Sequence, residues 1–179
     1  MKQSGLTLLE LIVTLSIAGI LLAIAVPAFT SLINSIRLSS FANELISSLH
    51  LTRSEAIKRN SRAVMCPSET GTSCAADGDW HLGWLVFHDP NNNAALDAGE
   101  TVILAKQALH SGLRVKSTQP TAKYISYAPS GGAKKISGAW QSGTLTLCNE
   151  SGSLSPARKV IISSTGRPRT EKSTLASCP

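Results

Sequence analysis

The sequence has few aromatic residues and lacks charges of one sign over a long stretch. Only 4% of its 179 residues are Phe, Trp or Tyr, so a folded core must be built mainly from Leu, Ile, Val and Ala. Residues 63–105 contain six acids and no Lys or Arg, whereas residues 106–179 contain eleven bases and two acids. This asymmetry favours a polyanion, either nucleic acid or an anionic surface, as partner of the C-terminal half. A merely solvated basic face would have the same composition.

The motifs that commonly identify an enzyme or a zinc site are also missing. The chain has no G-x-S-x-G sequence, no Walker loop and no Gly-rich dinucleotide fingerprint. The histidines are dispersed, and neither a C-x₂₋₄-C pair nor a His at zinc-ligand spacing is present. We therefore expect no enzymatic activity, no cofactor and no metal.

One acidic segment has the spacing of a calcium-binding loop. Counting from Asp89, oxygen-bearing side chains fall at positions 1, 3, 5, 9 and 12, the last being Glu100, as in an EF-hand. The sixth position is Ala94, where the EF-hand requires glycine for its sharp turn, and β patterns rather than helices flank the segment. We interpret residues 89–100 as a polar hairpin loop, with calcium as the alternative.

The longest apolar stretch covers residues 5–29 and contains one charge, Glu10. A helix over residues 6–29 would be roughly 36 Å long, enough to cross a hydrocarbon core of about 30 Å. A carboxylate in such a segment needs a partner, because it costs on the order of 2.5–3.5 kcal/mol there. A short basic leader precedes the stretch, and cleavage after Gly5 would place a new amino group on Leu6, close to Glu10.

Residues 5–10, Gly-Leu-Thr-Leu-Leu-Glu, resemble the cleavage and methylation motif of type IV prepilins and type II secretion pseudopilins. The resemblance implies that a prepilin peptidase cleaves after Gly5, that Leu6 is N-methylated, and that Glu10 acts in filament assembly with other pilin subunits. Leu6 stands where Phe is usual in this motif. A single-pass inner-membrane protein is also implied, with a periplasmic globular part that becomes extracellular in an assembled pilus.

Helical spacing of apolar residues continues beyond the membrane segment, at Leu38, Phe41, Leu45, Leu49 and Ala56. We predict one helix over residues 7–59, kinked at Pro27, with one face of its second half packed on a domain. Short β patterns follow, with a turn at Ser111-Gly112; they cover residues 63–66, 83–87, 101–109, 113–117, 124–127, 144–148 and 159–163. The predicted fold class is α+β, a long N-terminal helix (transmembrane, then amphipathic) packed on antiparallel β-sheets.

The predicted organisation is a leader at residues 1–5, a transmembrane half-helix at 6–29, an amphipathic half-helix at 30–62, and a β-rich globular domain with a basic C-terminal tail at 63–179. A pilin-type anchor puts this domain in an oxidising compartment, which favours disulfides over metal or free thiols for its four cysteines. Three pairings are possible. We prefer Cys66–Cys74, which would close a local loop, and Cys148–Cys178, which would tie down the tail.

Several motifs of the globular part occur together. They are Val64-Met65-Cys66-Pro67-Ser68 with Cys74, Trp80 with Gly83-Trp84-Leu85-Val86-Phe87, the Asn-rich loop ending in Gly99-Glu100, and Ser164-Thr165-Gly166-Arg167-Pro168-Arg169. This set is similar to the GspH/FimT/FimU branch of minor pilins, most of all to FimT, and implies the pilin-like GspH fold. We expect Trp80 and Trp84 to be core residues rather than stacking platforms.

The basic C-terminal residues give the clearest functional prediction. Arg158 and Lys159 begin a predicted strand, and Arg167, Arg169 and Lys172 follow it. Because Pro168 fixes a backbone angle, the turn can present two guanidiniums for forked contact with phosphate oxygens. A patch of this kind binds DNA through its phosphates, without base specificity and with steep salt dependence.

Two further lysines, Lys134 and Lys135, would join this surface if the sheet brings their loop close. The Gly-Arg-x-Arg pattern resembles the motif with which FimT-like minor pilins contact DNA during natural transformation. The resemblance implies double-stranded DNA as the ligand, held chiefly by Arg167 and Arg169. Two alternatives stay open: a FimU-like structural minor pilin that primes pilus assembly, and a GspH-type pseudopilin of type II secretion.

Overall fold

The computed structural model describes residues 7–76, 78–108, 112–149 and 155–178. These ranges contain one helix, α1 (Leu8–Lys58), two single-turn 3-10 helices (Trp80–Leu82 and Gln119–Thr121), and the strands β1 (Arg62–Pro67), β2 (Gly83–Asp89), β3 (Val102–Gln107), β4 (Leu113–Ser117), β5 (Ile125–Tyr127), β6 (Gly143–Asn149), β7 (Ser155–Ile162) and β8 (Pro168–Leu175). The chain divides into two compact units, residues 1–37 and 38–179. The predicted leader at residues 1–5, with its cleavage residue Gly5, and the residues Leu6, Leu109 and Ser111 lie outside the described ranges.

The first unit, in its described part, is the apolar beginning of α1. Its side chains are almost all exposed, and its most apolar window has a mean hydropathy of 2.5, so by length and composition it can cross a membrane. The helix runs through Pro27 without interruption. It begins with a reciprocal cap, in which the Thr7 hydroxyl accepts from the Glu10 N–H (3.3 Å) and the Glu10 carboxylate accepts from the Thr7 N–H (2.9 Å). Glu10 therefore has a partner within its own turn.

The second unit has one main core, to which α1 and strands of both sheets contribute. The predicted helical stripe is confirmed: Leu38, Leu45 and Leu49 are buried, and Phe41 packs against them partly buried. The helix ends because Asn60 takes a left-handed conformation (φ 48°) and the Ser61 N–H donates to the Ala56 carbonyl, a Schellman turn. This turn releases the chain into β1.

The strands form two antiparallel sheets, which confirms the α+β class. Sheet A has the order β3-β2-β1-β5, and sheet B has the order β4-β6-β7-β8. In sheet A, Met65 and Val86 face the main core, while their neighbours Val64 and Phe87 form a second apolar cluster on the opposite face. Sheet A is therefore covered on both sides at β1 and β2.

Trp80 and Trp84 are fully buried, as predicted. The indole N–H of Trp80 donates to the Thr121 carbonyl (3.1 Å), and that of Trp84 donates to the Ser48 hydroxyl on α1 (2.9 Å). The helix thus satisfies the polar atom of an indole that the core has removed from water. Both residues are core anchors.

The C-terminal segment departs from the prediction. We expected a basic loop or tail after Gly166, but Pro168–Leu175 forms β8, paired with β7 from Ile162↔Pro168 to Ser155↔Leu175. The expectation of a loop was wrong because β8 is an edge strand with mostly exposed side chains, so it tolerates Arg, Thr, Glu and Lys and shows no apolar alternation. Strand β7 also begins earlier than its predicted apolar part, at Ser155.

Both preferred disulfides are present. Cys66–Cys74 closes a short loop beyond β1, beside the smaller apolar cluster. Cys148–Cys178 joins β6 to the residues that follow β8, so the end of the chain is fixed to sheet B. All four cysteines are paired.

Candidate nucleic-acid interface

A tight turn connects β7 and β8 and carries the first predicted arginine. The Gly166 N–H donates to the Ser163 carbonyl (2.9 Å), and the Ser163 hydroxyl accepts from the Arg167 N–H (3.3 Å). Gly166 has φ 80°, and a Cβ there would collide with the Gly131 carbonyl oxygen, so only glycine fits. The turn is thereby held against a neighbouring loop, and Arg167 is left exposed beside it.

The fold separates the predicted basic residues of β7 and β8 onto two faces of sheet B. Arg158 faces α1, where its guanidinium donates to the Ser39 hydroxyl at 3.0 and 3.3 Å. Lys172 lies directly opposite Arg158 in the register and lines the same groove, of about 330 Å³, between β8 and α1. Arg158 and Lys172 therefore do not share a surface with their sequence neighbours.

The other face of sheet B points away from the main core and carries Lys159 and Arg169. Lys159 pairs with Thr146 on one side and Glu171 on the other, and Arg169 pairs with Ile161 one step further along. Since side chains alternate along a strand, Lys159 and Arg169 occupy the face opposite to Arg158. We call this the outer face of sheet B.

Two basic residues that the sequence analysis did not select also lie on the outer face. In β4, Leu113 and Val115 are buried while Arg114 and Lys116 are exposed, and Lys116 is in the same cross-strand row as Thr146 and Lys159. Strands lie about 4.8 Å apart, so the backbones of Lys116 and Lys159 are roughly 10 Å from each other. The alternation Leu-Arg-Val-Lys was the available signal, but only the strand order shows that it faces Lys159.

Arg114 also takes part in a cavity at the end of this face. One of its guanidinium nitrogens is 3.1 Å from the His81 Nε2 atom. The cavity, of about 520 Å³, is also lined by Lys116 and by Cys178 at the end of the disulfide-bound segment. The outer face therefore reaches from the turn at Arg167 to the disulfide of sheet B.

The fold brings the loop of Lys134 and Lys135 to the turn at Gly166. A Cβ on Gly166 would meet Ala133 N at 3.1 Å as well as the Gly131 carbonyl, so the two backbones are in contact. Arg53 of α1 fixes the same place by donating to the Gly166 carbonyl (3.3 Å). We predicted that Lys134 and Lys135 join the basic surface if their loop lies close to it. The backbone of this loop does lie beside the turn that carries Arg167.

The buried side chain of Arg62 donates a hydrogen bond to the loop of Lys134 and Lys135. Arg62 is 9% exposed and donates to the Asn92 side chain (2.9 Å), the Ser126 hydroxyl (2.8 Å) and the Lys134 carbonyl (2.9 Å). These three acceptors are neutral groups from three different segments. One guanidinium thus links the Asn-rich loop, β5 and the lysine loop.

The Asn-rich loop uses its carboxylates to hold itself together. The Asp89 carboxylate accepts from the Asn93 and Ala94 N–H groups (3.1 and 3.0 Å). Asp97 accepts from the Asn91 and Asn93 side chains (2.7 and 2.6 Å), which lowers its pKa. Within the described ranges, no three His, Cys, Asp or Glu side chains are grouped so that they could hold a metal ion. The geometry is that of a hydrogen-bonded polar hairpin loop.

Comparison with known protein families agrees with this architecture. The family described as type II transport protein GspH matches residues 42–166, and the prokaryotic N-terminal methylation motif matches residues 1–26. The chain belongs to the GspH family of type IV minor pilins and pseudopilins.

Individual relatives extend the match over the whole chain. The pilin-like protein PilA1 of Thermus thermophilus is 32% identical over 176 residues, which cover 96% of this chain and all of the relative. Two crystal structures of the type IV minor pilin FimU of Pseudomonas aeruginosa have TM-scores of 0.57 and 0.53. At 20% identity they cover 79% of this chain and 95% and 100% of their own, and they show the shared fold alone.

Proposed function

We propose that this protein is a FimT-like minor type IV pilin that binds double-stranded DNA without base specificity, for uptake in natural transformation. The observation that carries the proposal is the clustering of exposed cations on one open face. Lys116, the half-buried Lys159 and Arg169 lie on the outer face of sheet B, and Arg167 lies in the turn at its end, with Glu171 as the acidic cross-strand partner of Lys159. Such a surface attracts phosphates by charge, and arginine adds forked hydrogen bonds.

In this proposal, a prepilin peptidase cleaves after Gly5 and methylates Leu6, and Glu10 takes part in subunit assembly. The globular unit is periplasmic before assembly and extracellular in the pilus. Lys134 and Lys135 extend the DNA surface at the Gly166 turn. Arg158 and Lys172 contribute only general positive potential, because they face the groove beside α1.

A second candidate is a structural minor pilin that primes assembly or couples subunits, and the fold shared with FimU favours it. In that case the outer face of sheet B pairs with an acidic neighbour in the filament. A GspH-type pseudopilin of type II secretion is a variant of the same role. These candidates require no affinity for free DNA.

The deciding experiment is a gel-shift titration of full-length protein in a detergent with an uncharged headgroup, using blunt duplexes of unrelated sequence. We expect binding to all duplexes, with log K falling steeply against log salt, by about 0.9 for each phosphate contact. Replacing Arg167 and Arg169 by Gln should abolish the shift at physiological salt.

The matched control replaces Lys58 and Lys106 by Gln, because both are paired with acids on α1 and neither belongs to sheet B. This control removes the same charge and should bind normally. Full binding by the arginine variant would refute the assigned site. No binding by the wild type at low salt would favour the structural candidate.

A further inference from the structure

The chain has few aromatic residues, and one of its three tryptophans lies outside the core. Trp80, Trp84, Tyr127 and Phe87 are fully buried, whereas Trp140 is 61% exposed. Burial of an aromatic ring removes about 150–250 Å² from water, which makes aromatic rings strong contributors to folding. The exposed Trp140 therefore contributes little to this core, and core packing does not account for its position.

The segment that carries Trp140 is held by its own backbone. Lys134 and Trp140 form a β-bridge, and a tight turn closes between them through the Lys135 N–H to the Ala139 carbonyl (2.8 Å) and the Gly138 N–H to the Lys135 carbonyl (2.9 Å). We call residues 134–140 the Trp140 hairpin. Ile136 near its tip is also 47% exposed.

A buried glutamine anchors the base of the hairpin. The Gln141 side chain is fully buried and accepts from the Ser126 N–H (3.0 Å). Its amide donates to the carbonyls of Pro120 (2.6 Å) and Tyr124 (2.8 Å). The ring of Trp140 is thus held by a preorganised support, so a ligand would not have to order the loop.

The surroundings of the ring are cationic. The Lys134 ammonium lies 4.8 Å from the ring centroid, a cation–π contact. Gly132 packs against the ring so closely that a Cβ would be 3.0 Å from its Cζ3 atom. The adjoining Gly131 carbonyl touches Gly166, the residue before Arg167. An exposed indole and the proposed phosphate-binding turn therefore adjoin.

We propose that Trp140 is a stacking site for an unpaired nucleobase, whose flanking phosphates are held by Lys134, Lys135 and Arg167. Aromatic faces that alternate with cations are the usual means of binding single strands without sequence preference, because every base has a π-face. The flexible lysine stem allows the Lys134 ammonium to leave the ring for a phosphate. The site would take strand ends or single-stranded segments. It rests on the proposed function, since Arg167 serves both.

The test compares ligands that differ only in their bases. Full-length protein in uncharged detergent is titrated with a 12-mer of thymidylate and with a 12-mer of abasic tetrahydrofuran residues that has the same phosphates. One stacked base should make the thymidylate strand bind roughly 5- to 150-fold more tightly. Trp140→Ala should reduce this ratio to about 1 without weakening the abasic strand or a blunt duplex, and Trp140→Phe should keep most of it.

Tryptophan fluorescence gives an independent signal. Because Trp80 and Trp84 are buried, quenching by thymidylate should come from Trp140 and disappear in Trp140→Phe, while the emission of the buried indoles reports an intact fold. Equal binding of both strands by the wild type would refute the stacking site. So would equal losses for all three ligands in Trp140→Ala, which would indicate a structural or protein-contact role.

The two proposals fail separately. If the wild type discriminates the strands but does not bind blunt duplex, the duplex function is wrong and the stacking site stands. If it binds duplex but does not discriminate the strands, the reverse holds.

Discussion

The two sheets of the globular unit have four strands each, but they differ in how their outer faces are covered. In strands β1 and β2, sheet A is apolar on both sides: inner residues join the main core, and the outer residues Val64, Leu85 and Phe87 form the smaller cluster under the Asn-rich loop. The inner side of sheet B joins the main core, whereas its outer face exposes Lys116 and Arg169 to solvent. Sheet A therefore contributes mainly to the core, whereas sheet B also has a face that is open to solvent.

This difference follows the charge distribution of the sequence. The strands β1 and β2 of sheet A lie in the base-free region 63–105, apart from Arg62 at the start of β1. All of sheet B lies in the basic region after residue 105. A sheet that is covered on both sides cannot accept charges without partners, whereas an open face can carry several. The charge asymmetry of the sequence thus reflects which of the two sheets has a solvent-exposed face.

The largest expected effect tests the covered side of sheet A. Phe87→Ala removes a fully buried ring from the smaller cluster and should lower the free energy of unfolding by about 3–5 kcal/mol. Thr146→Ala on the outer face of sheet B, the matched control, should cost less than about 1 kcal/mol. Urea denaturation of full-length protein in detergent, followed by tryptophan fluorescence, measures both. Similar losses at the two sites would show that the sheets are not covered differently.

The next effect compares the disulfides, one attached to each sheet. The bridge of sheet B spans 30 residues and that of sheet A spans 8, so the loop-closure model assigns them about 3.5 and about 2.5 kcal/mol. Replacing Cys148 and Cys178 by Ala should therefore destabilise the protein more than replacing Cys66 and Cys74. The same urea experiment under non-reducing conditions gives the order. A larger loss for the short bridge would mean that packing under the loop of sheet A outweighs chain entropy.

The smallest expected effect concerns the Asn-rich loop, which covers one side of sheet A. Ala94 has φ 56°, a left-handed conformation that costs a residue with a Cβ about 1–2 kcal/mol. Ala94→Gly should raise the free energy of unfolding by roughly 0.5–1 kcal/mol. Glycine removes the strain, but it loses more conformational entropy on folding than alanine, which offsets part of the gain. Ala95→Gly, at a neighbouring residue without positive φ, should be neutral or destabilising. A stabilisation by both variants would contradict the assigned strain.

The features that the sequence predicted well depend on burial. The stripe from Leu38 to Ala56 follows from apolar spacing, Trp80 and Trp84 are buried as expected, and the preferred one of three possible disulfide pairings is present. The N-terminal motif and the globular motifs also indicated the family, and the GspH match confirms it. Each of these signals is local or repeats with a fixed period.

The features that were missed depend on strand order or exposure. Strand β8 is an edge strand without apolar alternation, so nothing in its residues separates it from a loop. Arg114 and Lys116 are distant from Lys159 in the sequence and reach its face only through the order β4-β6-β7. The division of Arg158 from Lys159 likewise needs the register. The exposure of Trp140 could not be inferred, because its neighbours show no clear period.

The guanidinium of Arg62 has a consequence for how salt acts on this protein. It links the lysine loop to β5 and to the Asn-rich loop through three neutral acceptors, so added electrolyte does not screen this linkage as it would an ion pair. The proposed grip on phosphates, in contrast, depends on released counterions and weakens steeply with salt. Under this proposal, high salt releases the DNA but leaves the lysine loop in position. A released strand then binds again to the same surface when the salt is diluted.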